Sequence, residues 1–326
     1  MSGTKSPEPV TGYSEIQLVT IGVRDLARAR AFYEGLFGYT CIAEAVVPES
    51  CRGAWGIPDG ARARVATLAR MVADGPVRRG MLRLLECTPC GDHAWGSYER
   101  YFDYGHYALN IRVPDIRAKW PQILAAGAKP KSGPTHWVVE PGMEAWDSLS
   151  WDPDGTLVDV YQMIGRESVF KPIDGLATEI ETVAIHTADA DRTRAFYMGL
   201  GYSVFFDRRI TDLSSFFHLP SHVALRDVNL MKPERSTVGR IEIVQYEGLP
   251  GERVGRKARP PNLGILWISF EASNVDAARR EVAALGATDI GGIVAIDVPG
   301  IGAARLFMAD GPDGERLEFM QRTSAG

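Results

Sequence analysis

The clearest structural signal in the chain is IQLVTIGVRDLARARAFY, at residues 16–33. Its first half alternates along the chain, with Val19, Ile21 and Val23 on one face, which is typical of a half-buried β-strand. Asp25 follows, in the position where a helix N-cap accepts hydrogen bonds from the first backbone amides. The stretch therefore predicts a strand that leads directly into a helix.

The same pattern occurs a second time, as IETVAIHTADADRTRAFY at residues 180–197. In both copies a Gly-Tyr pair follows, at residues 38–39 and 201–202. Asp25 and its counterpart Asp189 are 164 residues apart. A period of that length indicates a duplicated domain rather than a solenoid repeat.

A second pair of segments supports the duplication. Residues 108–115 and 267–274 each precede a predicted helix that ends in Ala-Ala-Gly-Ala or Ala-Leu-Gly-Ala. Asp115 and Asn274 stand at the expected helix starts. Each copy then reaches a Pro-Asp-Gly turn that leads into a short strand. The chain thus contains four strand–helix–strand units in two similar halves.

This arrangement resembles the vicinal-oxygen-chelate superfamily, which includes glyoxalases, bleomycin-resistance proteins and extradiol dioxygenases. The resemblance implies an α+β fold of four βαβββ units, paired into two domains with U-shaped, cup-like mixed sheets that hold the ligand. We expect a disordered leader (1–13), a first domain (14–165), a linker (166–178) and a second domain (179–323). Extradiol dioxygenases, which also carry four units in one chain, are the nearest match in arrangement.

Composition narrows the range of functions. The chain has 326 residues and a net charge of −5, without the basic excess that attracts nucleic acid. No segment has the length and hydropathy of a membrane span, and the N-terminus lacks the pattern of a signal peptide. We expect a cytoplasmic protein that acts on a small molecule of aromatic or polyketide-like character, with a homodimer left open.

The resemblance also points to eight positions where the family carries metal ligands. They lie on the first strand of each unit, seven residues before the helix cap, and on the last strand. Here the first-strand positions hold Leu18, Ala108, Thr182 and Trp267, and the last-strand positions hold Arg83, Asp159, Glu242 and Glu318. Because no histidine stands at any of them, we predict no metal cofactor. The alternative is a divalent ion (Fe, Zn or Mn) held by displaced residues.

The second half is predicted to hold the site, with Glu242 and Glu318 facing each other across one cup. Two close carboxylates cannot both ionise easily, so one acquires a raised pKa and can act as an acid or base. We expect Glu318 as base, Glu242 or His186 as acid and Tyr246 as oxyanion donor. The residues expected to contact substrate are Trp267, Thr182, Ser269, Arg316 and Met320. The structural alternative is an ion pair between Glu242 and Arg316.

The first half offers an alternative pocket, in which Arg83 facing Asp159 suggests an ion pair. Its predicted members are Asp159, Arg83, Asn110, Arg112 and Tyr161. Three functions are compatible with these patterns. The first is a metal-independent isomerase or lyase that acts by acid–base chemistry on an aromatic or carbonyl compound. The second is a binding protein of the bleomycin-resistance type, and the third is a metal-dependent ring-cleaving dioxygenase with displaced ligands.

Overall fold

The structure is a computed structural model that describes residues 11–93, 102–140, 142–165, 175–211, 215–233, 238–253 and 257–323. Most of the expected leader, and residues 166–174 of the expected linker, lie outside the described residues. The first strand begins at Tyr13.

Two units make up the first half of the chain. Unit 1 comprises β1 (Tyr13–Val23), α1 (Leu26–Phe37), β2 (Thr40–Val46), α2 (Glu49–Trp55), β3 (Arg62–Ala69), β4 (Met71–Val72), β5 (Gly75–Pro76) and β6 (Met81–Thr88). Unit 2 comprises β7 (Gly105–Arg112), α3 (Ile116–Ala125), β8 (Lys129–Glu140), β9 (Met143–Trp151) and β10 (Leu157–Ile164).

Two further units make up the second half. Unit 3 comprises β11 (Thr182–His186), α4 (Ala190–Gly199), β12 (Ser203–Ile210), β13 (Ala224–Met231) and β14 (Arg240–Glu247). Unit 4 comprises β15 (Gly264–Ala272), α5 (Val275–Ala284), β16 (Val294–Val298), β17 (Gly302–Asp310) and β18 (Arg316–Arg322). The predicted α+β class and the four βαβββ units are confirmed.

The four predicted helix caps are confirmed. The side chains of Asp25, Asp115, Asp189 and Asn274 each accept hydrogen bonds from backbone amides in the first turn of the following helix. All four have extended backbone angles, which suits a residue that ends a strand segment and starts a helix. The caps fix the direction in which each helix leaves its strand.

Two eight-stranded sheets form the framework, with strand orders β16-β17-β18-β15-β1-β6-β3-β2 and β12-β13-β14-β11-β7-β10-β9-β8. The first sheet therefore joins units 1 and 4 through the antiparallel pair β1 and β15. The second joins units 2 and 3 through β7 and β11. The expectation that consecutive units share a cup is wrong. All four first strands have similar apolar alternation, so the pattern does not select between the two pairings.

One glycine shows how closely units 1 and 4 meet. A Cβ atom on Gly22 of β1 would lie 2.0 Å from the backbone carbonyl oxygen of Asn262, just before β15. Any other residue would push the two segments apart. The central contact of the first sheet thus depends on the absence of a side chain at this position.

Consecutive units are tied together by their helices instead. The Tyr33 hydroxyl of α1 donates to Asp152 Oδ2 in the turn of unit 2, at 2.9 Å. The equivalent Tyr197 of α4 donates to Glu315 Oε1 in the turn of unit 4, at 3.0 Å. Both tyrosines are fully buried. In both halves, the tyrosine of the Phe-Tyr motif thus fixes its helix to the Pro-Asp-Gly turn of the next unit.

The main apolar core lies between the helices and one face of each sheet. It includes Val19, Ile21 and Val23, as the alternation of β1 predicts. The opposite faces form two hollows, named cup 1 for the first sheet and cup 2 for the second. The short helix α2 fills cup 1, where Cys51 and Trp55 pack against Trp267. No helix in the described parts of the chain has both the length and the hydropathy needed to cross a membrane.

Candidate functional site

Cup 1 is closed by a buried ion pair. Arg83 Nη1 lies 3.2 Å from Glu318 Oε2, and neither side chain is exposed. Glu318 also accepts hydrogen bonds from Trp55 Nε1 at 3.0 Å and from Ser269 Oγ at 2.6 Å. The Arg83 guanidinium stacks over the Trp55 ring at 4.5 Å. Glu318 therefore has a cation and two donors of its own, and its predicted role as a base facing Glu242 is wrong.

The other predicted substrate contacts from unit 4 do not line an open hollow. Trp267 is 1% exposed and packs on Trp55, while Met320 belongs to the same apolar cluster. Arg316 pairs with Asp289 and Asp310, so the expected alternative pair with Glu242 does not form. The cavity beside Met320 has a volume of only about 10 Å³. These residues belong to a packed interior.

His186 and Tyr246 lie in a buried aromatic cluster. The His186 ring is 4.4 Å from the Tyr246 ring, centroid to centroid, and its Nδ1 lies 3.0 Å from the Asp103 carbonyl oxygen. Tyr246 donates to the Tyr107 hydroxyl at 3.0 Å. Burial lowers the pKa of His186 to about 4, so the ring is neutral near neutrality. Neither residue lines the cavity of cup 2, and His186 is buried rather than at a rim.

Cup 2 contains an open cavity with a volume of about 90 Å³. Five acids line it, and four of them come from four different strands: Asp147 on β9, Asp159 on β10, Asp227 on β13 and Glu242 on β14. The fifth, Glu181, pairs with Arg240. Asp147 and Asp227 are buried, and Asp159 and Glu242 are partly exposed. The rest of the lining is mostly aromatic, apolar or amide: Trp137, Met143, Ala145, Met163, Phe205, Phe206, Asn110, Asn229, Tyr161, Thr182 and Arg240.

Strand register explains why these acids converge. Asp159 of β10 is paired with Asn110 of β7, which is in turn paired with Thr182 of β11. Glu242 of β14 is paired with Asn229 of β13. Neighbouring residues in register share a face of the sheet, so their side chains enter the same hollow. Units 2 and 3 thus bring Asp159 and Glu242 together, although the sequence suggests separate cups for them.

Few nearby groups stabilise the ionised form of these four acids. Asn110 Nδ2 donates to Glu242 Oε2 at 2.5 Å, and Trp137 Nε1 donates to Asp147. Within the described residues, none of the four acids forms an ion pair, in contrast to Glu318 of cup 1. Among the described lining residues, five buried oxygens have no hydrogen-bond partner, namely Asp159 Oδ1, Asp227 Oδ1, Glu181 Oε1, Asn110 Oδ1 and Thr182 Oγ1.

This arrangement raises the pKa of every acid in the cluster. Burial and the charge of Glu242 raise the pKa of Asp147 to about 7, although the Trp137 hydrogen bond opposes the shift. Burial and the other three acids raise the pKa of Asp159 well above its usual value. Burial raises the pKa of Glu242 too, against the hydrogen bond from Asn110 and the charge of Arg240. Cup 2 therefore retains protons near neutral pH.

One wall of cup 2 carries a separate, charge-balanced network. Arg240 Nη2 lies 3.2 Å from the Tyr161 hydroxyl and 3.4 Å from Glu181 Oε2, and Tyr161 donates to Glu181. Arg240 also donates to Asn229 at 3.2 Å. The predicted pocket residue Arg112 is buried, and its backbone amide bonds to Thr178. Arg240 has Glu181 as its ion-pair partner, and its charge offsets the burial of Glu242 and Asp227 only in part, because the pKa values of both stay raised.

The sequence prediction found part of this site. Thr182, Glu242, Asp159, Asn110 and Tyr161 do line one cavity, but they were assigned to two different cups. Asp147 and Asp227 were missed. A signal for both exists, because each is an acid at an inward-facing position within a largely apolar strand, MEAWDSLSW or ALRDVNLM.

A larger groove of about 760 Å³ lies elsewhere, beside the turn of unit 2. Its lining includes Arg24, Arg28, Lys257 and Asp154. Arg28 pairs with Asp154, and its side chain is 47% exposed. The buried carboxylate of Asp154 therefore has a cation of its own. The buried, uncompensated acids make cup 2 the better candidate site despite its smaller volume.

The family's usual metal is a poor fit to these residues. Cup 2 offers Ala108 and Thr182 at the first-strand positions and two carboxyls at the last-strand positions. Among the described residues, no three His, Cys, Asp or Glu side chains converge closely enough to hold a metal ion. A bound transition metal needs three or four such donors at once. No reaction step is therefore assigned to a metal.

The fold and the cup agree with comparisons to known proteins. Residues 15–160 match the model of the Glyoxalase/Bleomycin resistance protein/Dioxygenase superfamily. The match covers units 1 and 2, and units 3 and 4 repeat their architecture. No curated protein matches the chain in sequence.

Solved structures share the whole architecture at low sequence identity. A mutant of glyoxalase I from Zea mays is 17% identical, with a TM-score of 0.64, and the match covers 96% of this chain and 93% of that one. A candidate dioxygenase from Bacillus subtilis is 12% identical, with a TM-score of 0.53 and coverage of 94% and 84%. At these identities the likeness establishes the fold and leaves the reaction to be argued from cup 2.

Proposed function

We propose that the protein is an enzyme that moves protons on a small aromatic or carbonyl compound in cup 2, as an isomerase or lyase, by acid–base chemistry of its carboxyl groups. The observation that carries the proposal is the pair Asp159 and Glu242, which share one cavity without a cation between them. Two carboxyls whose surroundings separate their pKa values form a natural acid and base.

The surroundings assign a role to each member of the pair. Glu242 receives a hydrogen bond from Asn110 and the favourable charge of Arg240, so it ionises more readily. Asp159 faces three other acids, so it holds its proton to higher pH. Glu242 would remove a proton from the carbon next to a carbonyl. Protonated Asp159 would donate to the carbonyl oxygen as negative charge develops there.

The proposal is tested by hydrogen exchange, which needs no knowledge of the net reaction. The purified protein is incubated in D₂O with 2-hydroxyacetophenone, phenylacetone and acetoacetate, and loss of the α-proton signal is followed by NMR. We expect exchange faster than in buffer. Glu242→Gln should lower it by about 10²-fold or more, because a positioned base contributes on the order of 10²–10⁴ in rate.

The matched control is Glu247→Gln, which changes the same residue type on the same strand outside the cavity. It should stay within about twofold of the unchanged protein. Exchange that persists in Glu242→Gln would remove Glu242 from the mechanism. Exchange that disappears with a chelator and returns with iron, zinc or manganese would favour the metal-dependent dioxygenase or lyase alternative.

A binding protein of the bleomycin-resistance type is the second candidate function. The observation that favours it is the aromatic mouth of cup 2, where Phe205 is 39% exposed. Exposed aromatic rings beside a cavity are common in sites that retain planar ligands. Retention of a ligand without any turnover would favour this candidate. The cytoplasmic location and a homodimer stay predictions from the sequence.

A further inference from the structure

The polar atoms that face the cavity of cup 2 share one chemical property. The five buried oxygens without partners among the described lining residues come from Asp159, Asp227, Glu181, Asn110 and Thr182. Asp227 is 5% exposed, Asn110 7% and Thr182 1%. The Asp and Asn oxygens can only accept hydrogen bonds while the acids are ionised, and the Thr oxygen can accept as well. Their natural complement is a group that carries several donors.

The charge of the cup also favours a ligand group that carries hydrogen-bond donors. Its lining contains five acids, Asp147, Asp159, Asp227, Glu242 and Glu181, against the single cation Arg240. Arg240 lies 3.4 Å from Glu181. The equivalent hollow in the other sheet neutralises its acid with Arg83. Cup 2 therefore presents an uncompensated negative charge in a poorly solvated place, which is costly unless protons or a cation are bound.

The mouth of the cavity is apolar and aromatic. Trp137, Phe205 and Phe206 line it, together with Met143 and Met163. Aromatic faces attract both aromatic rings and nearby cations. A ligand that matches both features has a charged donor group at one end and an apolar body at the other.

We propose that cup 2 binds an organic cation, a small molecule whose protonated amine sits among the carboxyl groups and whose aromatic body contacts Trp137 and Phe205. This inference rests on the proposed site and narrows its substrate class. An ammonium supplies up to three hydrogen-bond donors, which suits a ring of acceptors around a small cavity. A metal ion is the poorer occupant, because no three of the described acids converge on one point.

The test compares three ligands of nearly equal shape that differ in charge: phenethylamine, 2-phenylethanol and phenylacetate. Binding to the full chain is measured by titration calorimetry at neutral pH. We expect phenethylamine to bind at least tenfold more tightly than 2-phenylethanol, and phenylacetate to show no binding. Equal affinity for the amine and the alcohol, or preference for the carboxylate, would overturn the inference.

Two variants locate the binding group. Asp227→Asn and Thr182→Val keep the size of the side chains and remove an acceptor from the cavity. Each should reduce the preference for phenethylamine over the alcohol by at least fivefold, while Glu247→Gln leaves it unchanged. Melting curves establish that each variant folds. A preference unchanged in both folded variants would contradict the proposal.

The outcomes separate this inference from the proposed function. Proton exchange on neutral ketones, without any preference for the amine, would overturn the organic cation and leave the acid–base function intact. Preference for the amine without proton exchange on any carbonyl compound would support the cation site and contradict the acid–base function. Stabilisation by Mg²⁺ or Mn²⁺ at concentrations where phenethylamine has no effect would also overturn the inference.

Discussion

At the scale of single residues, the two cups differ in the sign of the charge at one equivalent position. Arg83 on β6 is paired with Thr20 of β1, and Glu242 on β14 is paired with Ala184 of β11, so the two occupy equivalent positions. In cup 1 the arginine neutralises Glu318. In cup 2 the glutamate faces Asp159 and leaves two acids together. The same fold thereby produces one closed interior and one open cavity lined by acids.

This difference predicts opposite effects on stability. Arg83→Met should lower the free energy of unfolding by about 3–5 kcal/mol, because it leaves a buried, uncompensated carboxylate. Asp159→Asn should be neutral or stabilising, because it relieves repulsion within the acid cluster. Urea denaturation measures both. The double variant Arg83→Met/Glu318→Leu should regain much of the stability that Arg83→Met loses. If Arg83→Met and Asp159→Asn lowered the free energy of unfolding by similar amounts, the difference in charge between the two cups would be contradicted.

At the scale of elements, the sequence predicts the strands, helices and caps well, because those signals are local. Asp25 and Asp189 mark the starts of their helices, because each stands at the same position between strand and helix in its copy of the motif. The short helix α2 was not predicted. Among the described residues of the second half it has no counterpart, so comparison of the repeats gives no signal for it. Its residue Trp55 nevertheless decides that cup 1 is closed.

The contact between a helix and the next unit's turn also belongs to this scale. Tyr33→Phe should cost about 1–3 kcal/mol, because it removes a hydrogen bond to the buried carboxylate of Asp152. Tyr13→Phe is the matched control, since its partner Glu281 is more exposed and water can replace the lost bond. Thermal melts compare the two variants. A larger loss of stability for Tyr13→Phe than for Tyr33→Phe would contradict the structural role given to the bond between Tyr33 and the turn.

At the scale of the whole molecule, the pairing of units decides which residues form the site. Sequence analysis predicts Glu242 as a functional acid and pairs it with Glu318, which lies in the other sheet. Both pairings satisfy the same alternation of apolar side chains, and the contacts that select one, such as Gly22 against Asn262, join residues far apart in sequence. Local patterns therefore predict which residues face inward without predicting which cup each one enters.

The most direct test of the central claim is an infrared titration of the protonated carboxyl groups, from about pH 5 to about pH 8. The claim is that Asp147, Asp159, Asp227 and Glu242 share cup 2 and that none of them has an ion-pair partner among the described residues. Because their pKa values are raised, these groups should hold protons at pH values where free carboxyl groups have ionised, and Asp147 should release its proton around its pKa of about 7. Asp159→Asn should shift the remaining titration to lower pH, since one repelling charge is gone, whereas Glu318→Gln should leave it unchanged. If Glu318→Gln shifts the titration and Asp159→Asn does not, the account is contradicted.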